Sequence, residues 1–419
     1  MRHPRAASAV VALALALAGC GGSGTPTGIY GKTLTIYTAL PFDGPQGPLM
    51  QSIYDGEALA IRKAGTIVDG YLITLQTWPD SAVSAGGWDA TDASNAATNA
   101  TQNLDAIAYI GDFDSAATAT SLPITNAGDL LQVSPASPYI GLTSSSLFDD
   151  KGEPGSYYPT ARRTFARLVP SDLSEARATA DFMRSLGVTS VYVLTDADPY
   201  NTPFDSVIGT MVGADAPHDG VALAGSAQID TANDTTAAQY LSVVKAIAAT
   251  HAQAVVVGAP PDPGAEALWQ ELYDKLPGVK LFAPSTLATN PFIESLGAAA
   301  AATYVTSPIL PLDQYGKQAQ SVLNLYRKEF SSAPTAWSLY GYEAMMSVIQ
   351  AIRRAGRKAG NRRDIVKAYF HLGWRDSVIG RYRISNGGDS SRTRFVGYRV
   401  AYDASGDQLR EIRRFLYGG

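Results

Sequence analysis

The runs Ala106-Ile107-Ala108-Tyr109-Ile110 and Ala254-Val255-Val256-Val257 constrain this 419-residue chain more than anything else in it, because both are short and apolar at every position. A strand with one wet face alternates polar and apolar residues. One that does not alternate needs cover on both faces, as in a parallel sheet between two helical layers. The flanking sequence supplies such layers. Strands are predicted at Leu34–Ala39, Tyr71–Trp78, Ala106–Ile110 and Leu130–Val133, between helices at Met50–Lys63, Asp89–Leu104 and Ala116–Ala127. The rhythm restarts after Pro170, with helices at Leu173–Leu186, Phe204–Val212 and Ala237–Thr250 around strands at Ser190–Leu194, Val221–Gln228 and Ala254–Val257. Helices at Pro263–Lys275, Gln314–Phe330, Ala336–Gly356 and Arg362–Leu372 follow, with strands at Val279–Phe282 and Thr303–Thr306. The chain then turns strand-like, Arg381–Ile384 and Phe395–Tyr402 flanking the turn Asn386-Gly387-Gly388-Asp389. The expectation is an α/β protein of two doubly wound lobes, which suits a chain too long for one core.

Cys20 is the only cysteine, so no intrachain disulfide is available and the core must supply the stability. It closes Leu17-Ala18-Gly19-Cys20 after an uncharged run, Ala6–Ala18, preceded by Arg2 and Arg5. That arrangement reads as a signal peptide over 1–20, too short to span a bilayer, and it resembles a bacterial lipobox in which Cys20 is acylated. Residues 21–32 then form a flexible tether. Charged residues are 17% and the net charge is −5, which argues against a nucleic-acid partner. Sixteen Lys/Arg against six Asp/Glu from Ala344 onward are read as a solvated basic face.

The sequence offers little for covalent chemistry. No GxGxxG opens a helix, no GxxxxGK[ST] or GxSxG is present, and His218, His251 and His371 are scattered without metal-ligand spacing. Asp196-Ala197-Asp198 fails as a calcium loop, because Pro199 follows and Val207 stands where the bidentate acid belongs. Three loops after strands remain, where open α/β sheets hold ligands. In Gly111-Asp112-Phe113-Asp114-Ser115, Ser115 is placed to cap a helix whose free N–H groups favour an anion. Ser134-Pro135-Ala136-Ser137-Pro138-Tyr139 is held extended by its prolines and offers hydroxyls and backbone groups. Asp196-Ala197-Asp198-Pro199-Tyr200 brings Tyr200 as a lid or as packing.

These loops join into a resemblance. Gly44-Pro45-Gln46 with Asp55-Gly56-Glu57-Ala58, Ile110-Gly111 with Ser115, Val133-Ser134-Pro135-Ala136, Phe165 to Asp172, Tyr192-Val193-Leu194 through Pro199-Tyr200, Thr306-Ser307-Pro308, Tyr342-Glu343-Ala344 and Val378-Ile379-Gly380 occur in a fixed order. The chain thereby resembles the periplasmic solute-binding proteins of ABC transporters, branched-chain amino acid (Leu/Ile/Val) type. The resemblance implies a type 1 periplasmic binding fold of two Rossmann-like lobes joined by three crossings, near Phe165–Pro170, Val305–Pro308 and Ile379–Ile384. Lobe 1 would be 33–166 plus 308–380, and lobe 2 would be 167–307 plus 381–419. It also implies that Ser115 and the backbone at Ala136 and Ser137 hold a ligand carboxylate, with Tyr200, Asp114, Ser285 and Thr286 lining the site. The ammonium half does not carry over. Pro138 stands where the family has a threonine, Ser285 where it has an acid and Leu49 where it has a tyrosine, leaving Asp43, Asp112 or Asp114 to compensate.

The expectation is a lipid-anchored solute-binding protein, monomeric and without metal or cofactor. It would capture a small polar, amino-acid-like ligand for an ABC permease and touch the membrane through its anchor alone. The alternative is an extracellular sensor of the same fold, which a neighbouring kinase or cyclase gene would favour. An exported hydrolase has the least support.

Overall fold

Each all-apolar run is a central strand of its own sheet, and every residue in it is buried. A computed structural model of the chain describes residues 28–29, 31–82, 87–145, 152–197, 200, 208–209, 220–288, 290–403 and 406–416. The signal peptide, Cys20 and most of the tether lie outside these residues, as do Asp198, Pro199 and most of the expected helix at 204–212.

The first lobe is built on β1 (Thr33–Thr38), β2 (Ile67–Val68), β3 (Tyr71–Thr77), β6 (Ala106–Ile110), β7 (Leu131–Ser134) and β8 (Phe165–Arg167), in the order β2-β3-β1-β6-β7-β8. Only the edge strand β2 is antiparallel. A hairpin of β4 (Ser81–Ala82) and β5 (Gly87–Trp88) stands apart from the sheet. The helices are α1 (Gly47–Ala64), α2 (Ala90–Gln102) and α3 (Ser115–Ala127). Registers pair Thr38 with Ile110, Ile110 with Val133 and Ser134 with Arg167, so the carboxyl ends of the central strands finish side by side.

The second lobe starts with α4 (Asp172–Ser185) and β9 (Ser190–Asp196). It continues through β10 (Ala222–Ile229), α5 (Leu241–Thr250), β11 (Ala254–Gly258), α6 (Pro263–Lys275), β12 (Lys280–Ala283), α7 (Asn290–Ser295) and β13 (Thr303–Ser307). Its sheet runs β10-β9-β11-β12-β13 in parallel and is extended by the antiparallel pair β16 (Arg394–Asp403) and β17 (Gly406–Leu416). Phe182, Phe282 and Tyr304 pack together on one face, with ring centroids 5.3–6.1 Å apart.

Between β13 and β16 the chain returns to the first lobe as α8 (Lys317–Glu329), α9 (Ala336–Ala355) and α10 (Arg362–Phe370). The backbones of α1 and α9 approach so closely that only glycine fits. A Cβ on Gly341 would stand 2.1 Å from the Ile53 carbonyl oxygen, and one on Gly56 2.1 Å from that of Ser338.

The strand-like runs flanking Asn386–Asp389 go to different sheets: β14 (Arg375–Ser377) pairs with β15 (Gly380–Tyr382), β16 joins β13 and β17, and the turn itself closes on an isolated antiparallel bridge between Ile384 and Ser390. Residues 383–393 form a passage between lobes, where Gly388 O accepts the Arg167 N–H at 3.0 Å. One expectation is corrected here: the basic C-terminal excess is not wholly a solvated face. Arg362, Arg375 and Arg392 are buried. Arg362 donates to the carbonyls of Thr101, Asn103, Ala106 and Gly128, at the ends of α2 and α3 and the start of β6. Arg375 pairs with buried Glu343, and Arg392 donates to the Tyr340 hydroxyl.

Candidate ligand-binding site

Parallel sheets leave their carboxyl-end loops free to form a site, and here the two sheets turn those loops toward one cavity. From the first sheet come Phe113, Asp114 and Ser115 after β6, and Ala136 and Pro138 after β7. From the second come Gly258, Pro260 and Pro261 after β11, Pro284, Ser285 and Thr286 after β12, and Pro308 after β13. Val169 and Pro170, leaving β8, line the passage between lobes, and α4 supplies Asp172 and Glu175. Trp88 of β5, Phe113, Tyr200 and Trp337 of α9 provide aromatic wall, with Phe113 and Trp337 edge to face at 5.1 Å.

Six of the seven expected ligand residues meet there: Asp114, Ser115, Ala136, Tyr200, Ser285 and Thr286. Ser137 does not. It is fully buried, and its hydroxyl bonds Thr118 Oγ1 at 2.6 Å and Ser134 Oγ at 3.0 Å, fixing the loop after β7 beneath α3. Ser115 also differs from its expected role. The cap of α3 is Asp114, in extended conformation, while Ser115 is the first helical residue and its Oγ accepts the Tyr139 N–H at 3.2 Å. The Asp114 side chain makes no capping bond, so the first-turn N–H groups at the cavity wall have no side-chain cap. Tyr200 lines the cavity and packs edge to face on Tyr139 at 5.2 Å. Among the acids considered as compensation, Asp43 accepts from Ser81 Oγ at 2.9 Å. Asp112 is fully buried, holding the Tyr109 hydroxyl at 2.6 Å and that of Ser121, and it does not line the cavity. Leu49 packs with Met50, Ile53 and Trp337 rather than lining the cavity.

The sequence reading missed Asp172 and Glu175. Both sit in the first turn of α4, immediately after the first crossing, and both are buried against the cavity. Burial pushes Asp172 up to about 7, partly offset by Arg167. Burial likewise pushes Glu175 up to about 8, against the lowering effect of two bonds from Ser285. Those bonds, from Ser285 N and from Ser285 Oγ at 2.7 Å, set an acid beside Ser285, where the resemblance offered only a serine. The signal was an acid pair, Asp172 and Glu175, spaced i,i+3 on a helix starting at the hinge.

Arg167 fastens this region from below. Its buried guanidinium donates to Tyr139 O at 2.6 Å, Ser137 O at 3.2 Å and Asp389 Oδ1 at 2.7 Å, tying the first and third passages to the loop after β7. Asp172 N donates to Pro138 O at 3.0 Å across the lobes. Among the described residues no group of His, Cys, Asp and Glu could hold a metal, and no helix is long and apolar enough to cross a membrane.

The family described as periplasmic binding protein matches residues 33–397, nearly all of both lobes. The chain belongs to the periplasmic binding protein family. Solved structures agree on the fold. A leucine-binding protein, LivK, from Thermotoga maritima MSB8 superposes with a TM-score of 0.73 at 18% identity, covering 90% of this chain and 97% of that one. LivJ, the branched-chain amino acid transporter substrate-binding protein of Streptococcus pneumoniae, in complex with isoleucine, gives 0.68 at 15% identity, covering 91% and 100%. A solute-binding protein of an ABC transporter from R. palustris, in complex with benzoate, gives 0.70 at 16% identity, covering 92% and 98%. No curated protein matches the chain. In this periplasmic binding protein the two lobes have the type 1 architecture, with β16 and β17 extending the second sheet.

Proposed function

We propose that this periplasmic binding protein is lipid-anchored through Cys20, captures a small polar, amino-acid-like solute between its lobes and delivers it to an ABC permease. The lobes in this reading are 33–166 plus 308–380 and 167–307 plus 381–419. The observation that carries it is the single cavity walled by carboxyl-end loops of both sheets, with an uncapped helix N-terminus on one side and two buried carboxylates on the other. A ligand touching both walls favours closure of the lobes, because only the closed state makes both sets of contacts. Relatives of this fold hold leucine-type amino acids or benzoates, which sets the size of solute to test.

A thermal-shift screen over amino acids, amides, organic acids and sugars tests capture. A cognate solute at a hundred times its dissociation constant adds about 2.7 kcal/mol of stability, and a screen in which nothing shifts the unfolding midpoint removes the proposal. Ser115→Ala should weaken the identified ligand by about 1–3 kcal/mol, the cost of losing a polar partner at a buried group, and unchanged calorimetric affinity would dismiss Ser115. Cys20→Ser should move the protein from the membrane fraction to the soluble one.

A further inference from the structure

The cavity walls carry three carboxylates, Asp114, Asp172 and Glu175, and among the described residues that line it there is no lysine, arginine or histidine. Asp172 is only 7% exposed, yet no donor from the described residues reaches its carboxylate. Arg167, the cation acting on it, is committed to Asp389 and to the carbonyls of Ser137 and Tyr139. Glu175 accepts from Ser285 through both oxygens and keeps lone pairs for a further donor. A buried carboxylate without a partner is costly, and a ligand cation is the group that would relieve it. Rings of Trp88, Phe113, Tyr200 and Trp337 face the same space, and aromatic faces attract cations as well as apolar bodies. An anionic ligand gains only the partial charge of one helix N-terminus, about half an elementary charge, and meets Asp114 at that very cap.

Resting on the solute-binding reading, we infer that the ligand is a net cation, an amine or amino amide with an apolar or aromatic body, its ammonium group held against Asp172 and Glu175. Neutralising the carboxylate of an amino acid should therefore strengthen binding.

Calorimetry on the purified full chain with two matched series decides this. Phenylalaninamide, 2-phenylethylamine, phenylalanine and 3-phenylpropionate share one body and differ in charge, as do leucinamide and leucine. The amides and the amine should bind at least tenfold more tightly than the zwitterions, and the anion should give no heat. Asp172→Asn should weaken the cations at least tenfold while leaving the unfolding midpoint at pH 4 unchanged. Binding of a zwitterion or the anion as tightly as its cationic counterpart would overturn the charge assignment and leave solute capture standing. Absence of binding by every cation in both series would also overturn it. Solute capture itself falls only if the broad screen finds nothing.

Discussion

Replacing Gly341 by alanine tests how the first lobe holds its aromatic wall in place. On an exposed helix interior this substitution stabilises, because alanine exceeds glycine in helix propensity by about 0.8–1.0 kcal/mol. Here the new methyl would begin 2.1 Å from the Ile53 carbonyl oxygen, whereas real Cβ contacts essentially never fall below 3.0 Å. The atom in the way is backbone, so α1 and α9 must part along their whole contact. Over-packing of this kind costs about 1–3 kcal/mol, which outweighs the propensity gain and makes the net effect destabilising. Gly56→Ala strains the same interface from the other side, against the Ser338 carbonyl. The double variant should cost less than the sum of the singles, because one separation accommodates both methyls. Trp337 precedes Ser338 at the start of α9 and lines the cavity, so ligand affinity should fall along with stability. Urea unfolding followed by circular dichroism reads the stability, and calorimetry with the identified ligand reads the affinity. A Gly341→Ala protein as stable as the parent, or more so, would refute the close-approach argument.

Titration offers a second test. Asp172 and Glu175 are raised by burial, so the empty cavity favours their protonated forms. Their contribution to stability is complete below the ordinary carboxylate range and is lost as pH rises toward about 7 and about 8. Arg167 opposes the shift at Asp172, while Asp172 adds to the rise at Glu175. Asp172→Asn should therefore raise the unfolding midpoint of the ligand-free protein at pH 8 but not at pH 4, and equal effects at both would count against it. Arg167→Ala should destabilise by about 3 kcal/mol, because it strips donors from two buried carbonyls and unties Asp389, and a midpoint within experimental scatter of the parent would dismiss that role.

Much of the fold was legible because it depends on local pattern. The apolar runs at Ala106–Ile110 and Ala254–Val257 require cover on both faces, and the structure makes both central parallel strands. The position of Ser115 beside the cavity followed from its place after such a strand, although its cap role passed to Asp114. Arg362 and Arg375 were misread because charge in a sequence does not reveal whether carbonyls or a buried acid await it.

The amino-acid sequence alone determined two layered α/β sheets and the loops from which a site would be built, since periodicity and strand-end position are properties of neighbouring residues. Only the tertiary structure decided which polar groups face the cavity. Glu175 meets Ser285 across 110 residues and Arg167 meets Asp389 across 222. Whether a serine binds ligand or pins a loop, or an acid stands paired or open, is set by such distant partners and by burial, which no local pattern encodes.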